Sequence, residues 1–360
     1  MSLLTIGVFA RASRLSPKAL RLYDELGLLP PAQVDPVTGY RFYSLDQLDR
    51  ARLVAWLRRL GMPLATIKTV CELPPAGAAD EIAAYWAQVE TDTAARRDLA
   101  AFLVGYLSGT ETAMPVAQDE HFTVRYAASS DIGRCRDKNQ DAAYGSEHLL
   151  AVADGFGSYG DRASAAVIEA LKPLGAAVPA GDLLNVLENA VDQAAAAVGG
   201  LGGEAADSGV AVTALLWSGS RLALVHVGDT HAYLLRSGEL FQITHDHTVV
   251  QTMIDTGQLT PEEAKSHPQR SLLLRAVDGG RITLDMSLRE VQAGDRYLLC
   301  SDGLSTVVET PVIHEALVSA GDPRQTVRRL IEAANAAGGP DNIACVVADI
   351  VAEPVAAPAR

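Results

Sequence analysis

Apolar positions follow two different rhythms along this chain. From Ile6 to Val70 they recur at helical spacing. Ile6 to Ala12 reads as a short amphipathic helix, and Ser16 followed by Pro17 reads as an N-cap with proline in the first helical position, opening a helix that runs through Leu22 and Leu26 to Gly27. Val34 to Tyr43, VDPVTGYRFY, carries turn residues at its centre and predicts a hairpin or wing. Asp46 to Leu60 and Leu64 to Val70 are again helical. The sum, over residues 1–70, is a winged helix-turn-helix. Residues 71–79 form a Pro/Ala/Gly connector, and Asp80 to Leu107 is one long helical pattern with Ile82, Tyr85, Trp86, Val89, Leu99, Phe102, Leu103 and Tyr106 on a broad apolar face. Such a face must be covered, either by a second copy of the helix or by the C-terminal part of the chain. Residues 108–121 read as a linker.

From Phe122 to Ala352 the rhythm shortens to strands. VTALLW, RLALVHVG, AYLLR and ELFQI form a meander, and Ile282, Leu284, Met286 and Leu288 alternate as in a half-buried strand. Helical patterns intervene at Ala163 to Leu171, at Leu183 to Val198, and from the cap Asp322 with Pro323 to Gly338. Strands packed face to face with helices outside would bury all these runs. Only 353–360 reads as a disordered tail.

Charge divides the chain at the same place. Residues 1–70 carry ten Lys/Arg against five Asp/Glu, a balance of +5, so the remainder holds −19 of the total −14. A basic start suits a polyanion, and the acidic remainder argues against general adhesion to nucleic acid or membrane. Four cysteines without CxxC spacing read as reduced thiols, no apolar run approaches the ~18 residues of a membrane span, and the N-terminus lacks a signal pattern. The expectation is a cytoplasmic protein with no membrane partner.

The chemistry gathers where strands leave the core. LLAVADG ends at Asp154 and Gly155, LALVHVGD at Asp229, YLLCSDG at Asp302, and Asp341 precedes the run NIACVVA. Converging carboxylates repel and raise one another's pKa unless a cation lies among them. Hard oxygen donors without Cys/His spacing select Mg²⁺ or Mn²⁺ over Zn²⁺. Arg136, in RDKNQD with Asp141, adds a guanidinium able to grip phosphate oxygens. His226, His231, His245 and His247 read as packing or hydrogen-bonding residues rather than ligands.

Two resemblances sharpen this. LTIGVFARASRLSPKALRLYDELGLLPPAQVDPVTGYRFY and the helices after it resemble the DNA-binding domain of the mercury-resistance-regulator (MerR) family. The resemblance implies that Ser16, Lys18 and Arg21 lie on the recognition helix and that Tyr23, Tyr40, Arg41 and Tyr43 hold phosphates or pack the wing. It also implies double-stranded DNA as partner and a homodimer through the long helix; packing of that helix on the C-terminal domain is the alternative. Leu22 stands where that family usually has an aromatic residue.

Residues 122–352, with RDKNQD, DGFG, VGD, CSDG and GGPDN in order, resemble the metal-dependent serine/threonine phosphatases of the PPM superfamily. This implies an α+β fold in which an αββα sandwich of two antiparallel sheets follows the all-α winged helix-turn-helix. It implies two Mn²⁺ or Mg²⁺ ions, with a place for a third. Asp154 would bridge two ions, the Gly155 carbonyl would bind one, Asp302 and Asp341 the other, and Asp229 with Asp302 a third. Asp141 would hold metal-bound waters and Arg136 the substrate phosphate. Val249 to Arg275 resembles the family's flap beside the site. Phe156 occupies a position where many relatives carry a histidine proposed as general acid, so it offers no proton. The function implied is hydrolysis of phosphoserine or phosphothreonine in a protein by a metal-activated water, joined to a transcriptional regulator. The alternative is a regulator whose phosphatase-like domain senses a metal or a phosphorylated ligand without turnover.

Overall fold

The computed structural model describes residues 3–108, 122–176, 178–201, 207–319 and 321–352; the linker expected before Phe122 and the tail expected at 353–360 lie outside the described residues. The chain forms two compact units, Met1–Ala87 with Val249–Leu272, and Gln88–Thr248 with Leu273–Arg360.

In the first unit, β1 (Leu3–Thr5) leads into α1 (Ile6–Ser13), and α2 (Pro17–Glu25) follows. The Ser16 hydroxyl accepts from the Ala19 N–H at 3.0 Å, satisfying one of the orphan donors at the start of α2. The wing consists of β2 (Gln33–Val34) and β3 (Arg41–Ser44), and β1, which the hydrophobic pattern did not reveal, completes a three-stranded sheet in the order β1-β3-β2. A capping box between Ser44 and Gln47 starts the turn that leads into α3 (Leu48–Arg59), followed by α4 (Leu64–Glu72). Phe9 stacks on Tyr43 with ring centroids 4.6 Å apart, among Leu20, Leu29, Met62 and Ile67. Each such side chain contributes about 1.5–3 kcal/mol by leaving water.

The long helix, α5 (Pro75–Ser108), belongs to both units. Ile82 and Tyr85 pack in the first unit's core, and the Tyr85 hydroxyl donates to the Leu60 carbonyl. Leu99 and Phe102 pack in the core of the second. There the helix is also held by polar contacts, Gln88 Nε2 donating to the Gln242 carbonyl at 2.9 Å and the Glu290 N–H donating to Asp98 at 3.2 Å. Part of the apolar face is thus covered within one chain, as the alternative to a dimer expects, while Trp86 and Leu103 on the same face stay exposed, 44% and 46%.

The second unit is built on two antiparallel five-stranded sheets. Its elements run β4 (Phe122–Asp131), β5 (Asp141–Gly145), β6 (Leu149–Phe156), α6 (Gly160–Leu171), α7 (Leu183–Gly199), β7 (Gly209–Ser218), β8 (Arg221–Val227), β9 (His231–Arg236) and β10 (Glu239–Gln242). After α8 (Val249–Asp255) and α9 (Pro261–Lys265) come β11 (Asp285–Glu290), β12 (Arg296–Cys300), α10 (Asp302–Ser305), α11 (Thr310–Ser319), α12 (Pro323–Ala336) and β13 (Ile343–Ala352). One sheet has the order β10-β9-β12-β13-β4 and the other β11-β8-β7-β6-β5. Period-two alternation sorts β6: Leu150 and Val152 meet Leu215, Leu299 and Val346 between the sheets, whereas Leu149, Ala151 and Ala153 face α6 and α7.

The segment read as a flap does not group with the sandwich. α8 and α9 belong to the first unit, where α8 lies against α4 and a Cβ at Gly257 would come 3.0 Å from the Leu64 Cβ. Among the described residues no helix is long and apolar enough to cross a membrane, and Cys71, Cys135, Cys300 and Cys345 are free thiols.

Candidate active site

Strand register brings the acidic residues together. Asp141 and Asp154 are cross-strand partners on β5 and β6. Asp302 stands at the start of α10 directly after β12, Asp341 just before β13, and β12 pairs with β13 with Cys300 opposite Cys345. Asp229 follows β8 through Gly228, whose φ of +100° and close approach to Ala211 leave no room for a side chain. Gly155 and Gly303 are equally constrained by space: a Cβ would meet the Gly160 carbonyl oxygen at 2.1 Å and the Asn342 carbonyl oxygen at 1.9 Å. The Asp-Gly pairs of the sequence are thus sites of backbone contact as well as turns.

The polar scaffold includes residues to which the sequence assigns no role. The Ser301 hydroxyl donates to Asp141 Oδ2 at 2.5 Å and accepts from the Ala344 N–H at 2.8 Å. Asn342 Nδ2 donates to the carbonyls of Ile132 and Lys138, both at 2.9 Å, and its Oδ1 accepts from the Gln140 N–H at 2.8 Å. One asparagine thus ties the RDKNQD loop to the turn that carries Asp341 into β13. Asn139 Oδ1 accepts from the Asp141 N–H at 3.1 Å, and Gln140 Nε2 donates to the Gly157 carbonyl at 2.8 Å. Phe156 lies against Gly209 and presents no titratable group.

Electrostatics at this mouth are unbalanced. Burial, and then repulsion from Asp141, Asp302 and Asp229, holds the Asp154 carboxyl well above the usual carboxylate range. Burial pushes Asp141 up to about 7 against the opposing Ser301 hydrogen bond, and burial with Asp302 pushes Asp229 up to about 7. Asp302 is raised by burial and by Asp341. Asp154 lies within hydrogen-bond reach of both Asp141 and Asp302. Against this cluster stands Arg136, whose Nη2 donates to Asp341 Oδ2 at 2.6 Å; that hydrogen bond raises the guanidinium's own pKa.

Among the described residues no three His, Cys, Asp or Glu side chains form a finished cage for one cation. The donor set nevertheless fits hard divalent ions. Two carboxylates, a main-chain carbonyl such as that of Gly155 and waters are the coordination that Mg²⁺ and Mn²⁺ accept. A buried, mutually raised carboxylate cluster also has an unmet demand for positive charge.

The histidines are occupied with structure. His231 Nε2 meets Asp246 at 2.9 Å and its Nδ1 bonds the Tyr233 hydroxyl at 2.9 Å. Burial alone would lower the His231 pKa, but the Asp246 carboxylate overrides it and raises it. His226 bonds Thr213, and burial pushes its pKa down to about 3. His247 accepts from the Gly228 N–H at 3.1 Å, directly beside Asp229.

In the first unit the expected DNA contacts separate. Lys18 and Arg21 on α2 and Tyr40 in the wing are exposed, and Ser16 is exposed at the α2 cap. Arg41 is tied to Asp24 at 2.6 Å. Tyr23, 6% exposed, and Tyr43, 0% exposed, give their rings to the core. Tyr23 on α2 and Tyr43 on β3 turn into that core from two sides, so both pack in this structure.

Comparison with known proteins follows the same division. Residues 4–73 match the MerR HTH family regulatory protein model, and residues 131–348 match the Protein phosphatase 2C model. Serine/threonine protein phosphatase PstP of Mycobacterium tuberculosis is 50% identical over 233 residues, 63% of this chain, which spans only 45% of that protein's length. Serine/threonine phosphatase stp of Listeria monocytogenes is 30% identical over 235 residues, 61% of this chain and 93% of its own length. The solved catalytic domain of PstP in complex with two manganese ions is similar with a TM-score of 0.61 and 45% identity, over 64% of this chain and all of that one. With the match running through the two sheets that bring Asp141, Asp154, Asp229, Asp302 and Asp341 to their strand ends, the chain belongs to the protein phosphatase 2C family.

Proposed function

We propose that this protein hydrolyses phosphoserine or phosphothreonine in a protein substrate, using Mn²⁺ or Mg²⁺, and that its N-terminal module binds double-stranded DNA. The observation that carries the first half is the convergence of Asp141 and Asp154, cross-strand partners, with Asp229, Asp302 and Asp341 at neighbouring strand ends, a set of hard oxygen donors suited to divalent cations. Asp154, Asp302, Asp341, Asp229 and the Gly155 carbonyl are the groups that would hold the ions, with Asp141 ordering water beside them. When bound, such cations acidify water and offset charge on phosphoryl oxygens. Arg136 uses one Nη on Asp341, and its remaining N–H groups suit a phosphate dianion. Ser301 and Asn342 position the acidic loop. Phe156 cannot donate a proton, so the proton for the leaving alkoxide comes from another group of the site, water among them.

The decisive test is hydrolysis of a phosphothreonine peptide with Mn²⁺, with Mg²⁺ and with chelator, for the intact protein and for Asp154→Asn and Asp302→Asn. Metal-dependent turnover lost in both variants is expected. Metal binding without turnover would replace this reading with that of a sensor. For the second half, exposed Lys18, Arg21 and Tyr40 on an excess of positive charge support DNA as partner. Salt-dependent duplex binding weakened by Arg21→Ala is expected; indifference to both salt and substitution would rule it out.

A further inference from the structure

Away from the carboxylates, the sandwich has an open groove of about 930 Å³ between β4 and α12, lined among others by Tyr126, Ser129, Arg134, Arg324 and Arg328. Three features give it direction. First, β4 ends its sheet, and among the described residues no other strand pairs with its outer edge. An outer strand offers a row of main-chain donors and acceptors to an extended peptide. The Tyr126 ring, 38% exposed, rests on Gly145, where a Cβ would come 2.7 Å from it, so the aromatic face forms part of the lining.

Second, the groove sets three arginines against two carboxylates, Asp131 and Glu332, on a chain whose residues after 70 sum to −19. Arg324 and Arg328 lie one turn apart on α12, and Arg134 completes the set. Among the described residues neither the Arg134 nor the Arg324 guanidinium has an acidic partner. Asp131 accepts from the Gly133 N–H and from Asn335 Nδ2, and Arg328 forms a loose, exposed pair with Glu332 at 3.8 Å, one an incoming carboxylate can share. Third, β4 runs toward the site. From Tyr126 to Asp131 an extended strand covers about 17 Å, and the chain then passes Arg134, whose N–H donates to the Gly339 carbonyl at 2.7 Å, to reach Arg136 two residues on.

We propose that this groove is the docking surface for an acidic, extended segment of the phosphoprotein substrate, laid along the β4 edge with its carboxylates on Arg134, Arg324 and Arg328. The inference rests on the proposed phosphatase activity and adds a substrate class: phosphoproteins with acidic residues about four to eight positions from the phosphorylated one, the distance set by the ~3.3 Å rise of an extended chain.

The test compares phosphothreonine peptides carrying four Glu or four Gln at that distance, on either side, in the full chain and in Arg324→Glu/Arg328→Glu. Both arginines are exposed on α12, so the reversal leaves the core untouched. For one placement the Glu peptide is expected to show a KM lower by about three- to tenfold, the range open to a few exposed charge pairs. The reversed protein should lose that difference while its kcat/KM on a small aryl phosphate stays the same. Equal KM for Glu and Gln peptides, or a loss shared by both, would overturn the proposal. Fluorescence anisotropy of the labelled, unphosphorylated Glu peptide reads the groove without turnover. Absence of aryl phosphate hydrolysis would sink the enzyme reading, whereas absence of reversal-sensitive peptide binding would sink the groove. Lost DNA binding in the reversed protein with unchanged peptide binding would assign the groove to nucleic acid instead.

Discussion

Asp141, Asp154, Asp229 and Asp302 come from separate strand ends, Asp141 buried and the other three half-buried, whereas Lys18, Arg21 and Tyr40 stand exposed on one helix and one wing. Both regions concentrate charge, one acidic and one basic, yet the costs differ. Exposed charges keep their hydration and act at long range through screening water. Buried like charges are tolerable only when protonated or when a cation joins them. The sandwich therefore carries an electrostatic cost that a bound cation offsets, and the helical module carries none.

The sharpest way to break this contrast is to remove one charge from each side. Asp154→Asn should lower phosphatase kcat/KM by on the order of 10³-fold or more, several kcal/mol of transition-state stabilisation. The same variant should melt higher than the parent when both are metal-free at pH 8, because a buried repulsion has gone. Arg21→Ala should leave the melting temperature unmoved and weaken only DNA binding. A metal-free Asp154→Asn protein that melts lower would show that the carboxylates are not in mutual repulsion.

Protonation sharpens the comparison further. Asp141 and Asp229 sit near 7 in the folded protein against about 4 unfolded. Their folded pKa values are raised, so the folded state binds more protons between these limits. Metal-free stability is then greatest at and below about pH 4 as far as these groups decide it, and is lost as pH rises toward 7. Mn²⁺ must displace those protons, so its apparent affinity should rise by about tenfold per pH unit per proton displaced below 7 and level off above. Calorimetry in buffers of different ionisation enthalpy would detect the released protons; a flat affinity from pH 5 to 7 would contradict it.

Salt separates the regions in the other direction. Duplex binding should weaken about 10²-fold between roughly 50 and 200 mM salt if four phosphates are contacted, while kcat on a small aryl phosphate changes little. Smallest of all is the Arg41–Asp24 pair, 29% and 20% exposed. Asp24→Ala should cost at most about 1 kcal/mol in urea unfolding, and it frees Arg41 for the DNA face, so tighter binding is the expected sign.

Legibility followed the range of the interaction. Ser16 and Pro17 announced α2 because capping involves neighbours three residues apart. The strand-end aspartates stood out because an apolar run stops at a charge. Ser301 and Asn342 gave no comparable signal, since their partners lie 160 and more than 200 residues away in sequence. The apolar face of α5 was evident, but its division between two cores was not. Tyr23 was visible as an aromatic on the recognition helix, but the burial of its ring in the core was not.

The sequence by itself determined the order of helices and strands, the two charge regimes and the acidic residues at strand ends, because periodicity, capping and the burial of apolar runs act over a few residues. Only the tertiary structure decided that Asp141 faces Asp154, that Asn342 fastens the acidic loop, that the flap segment lies with α4 and that three arginines line the open edge of β4. Those outcomes depend on sheet register and on packing between segments far apart in the chain, and a linear pattern of apolar and polar residues carries no distance across that gap.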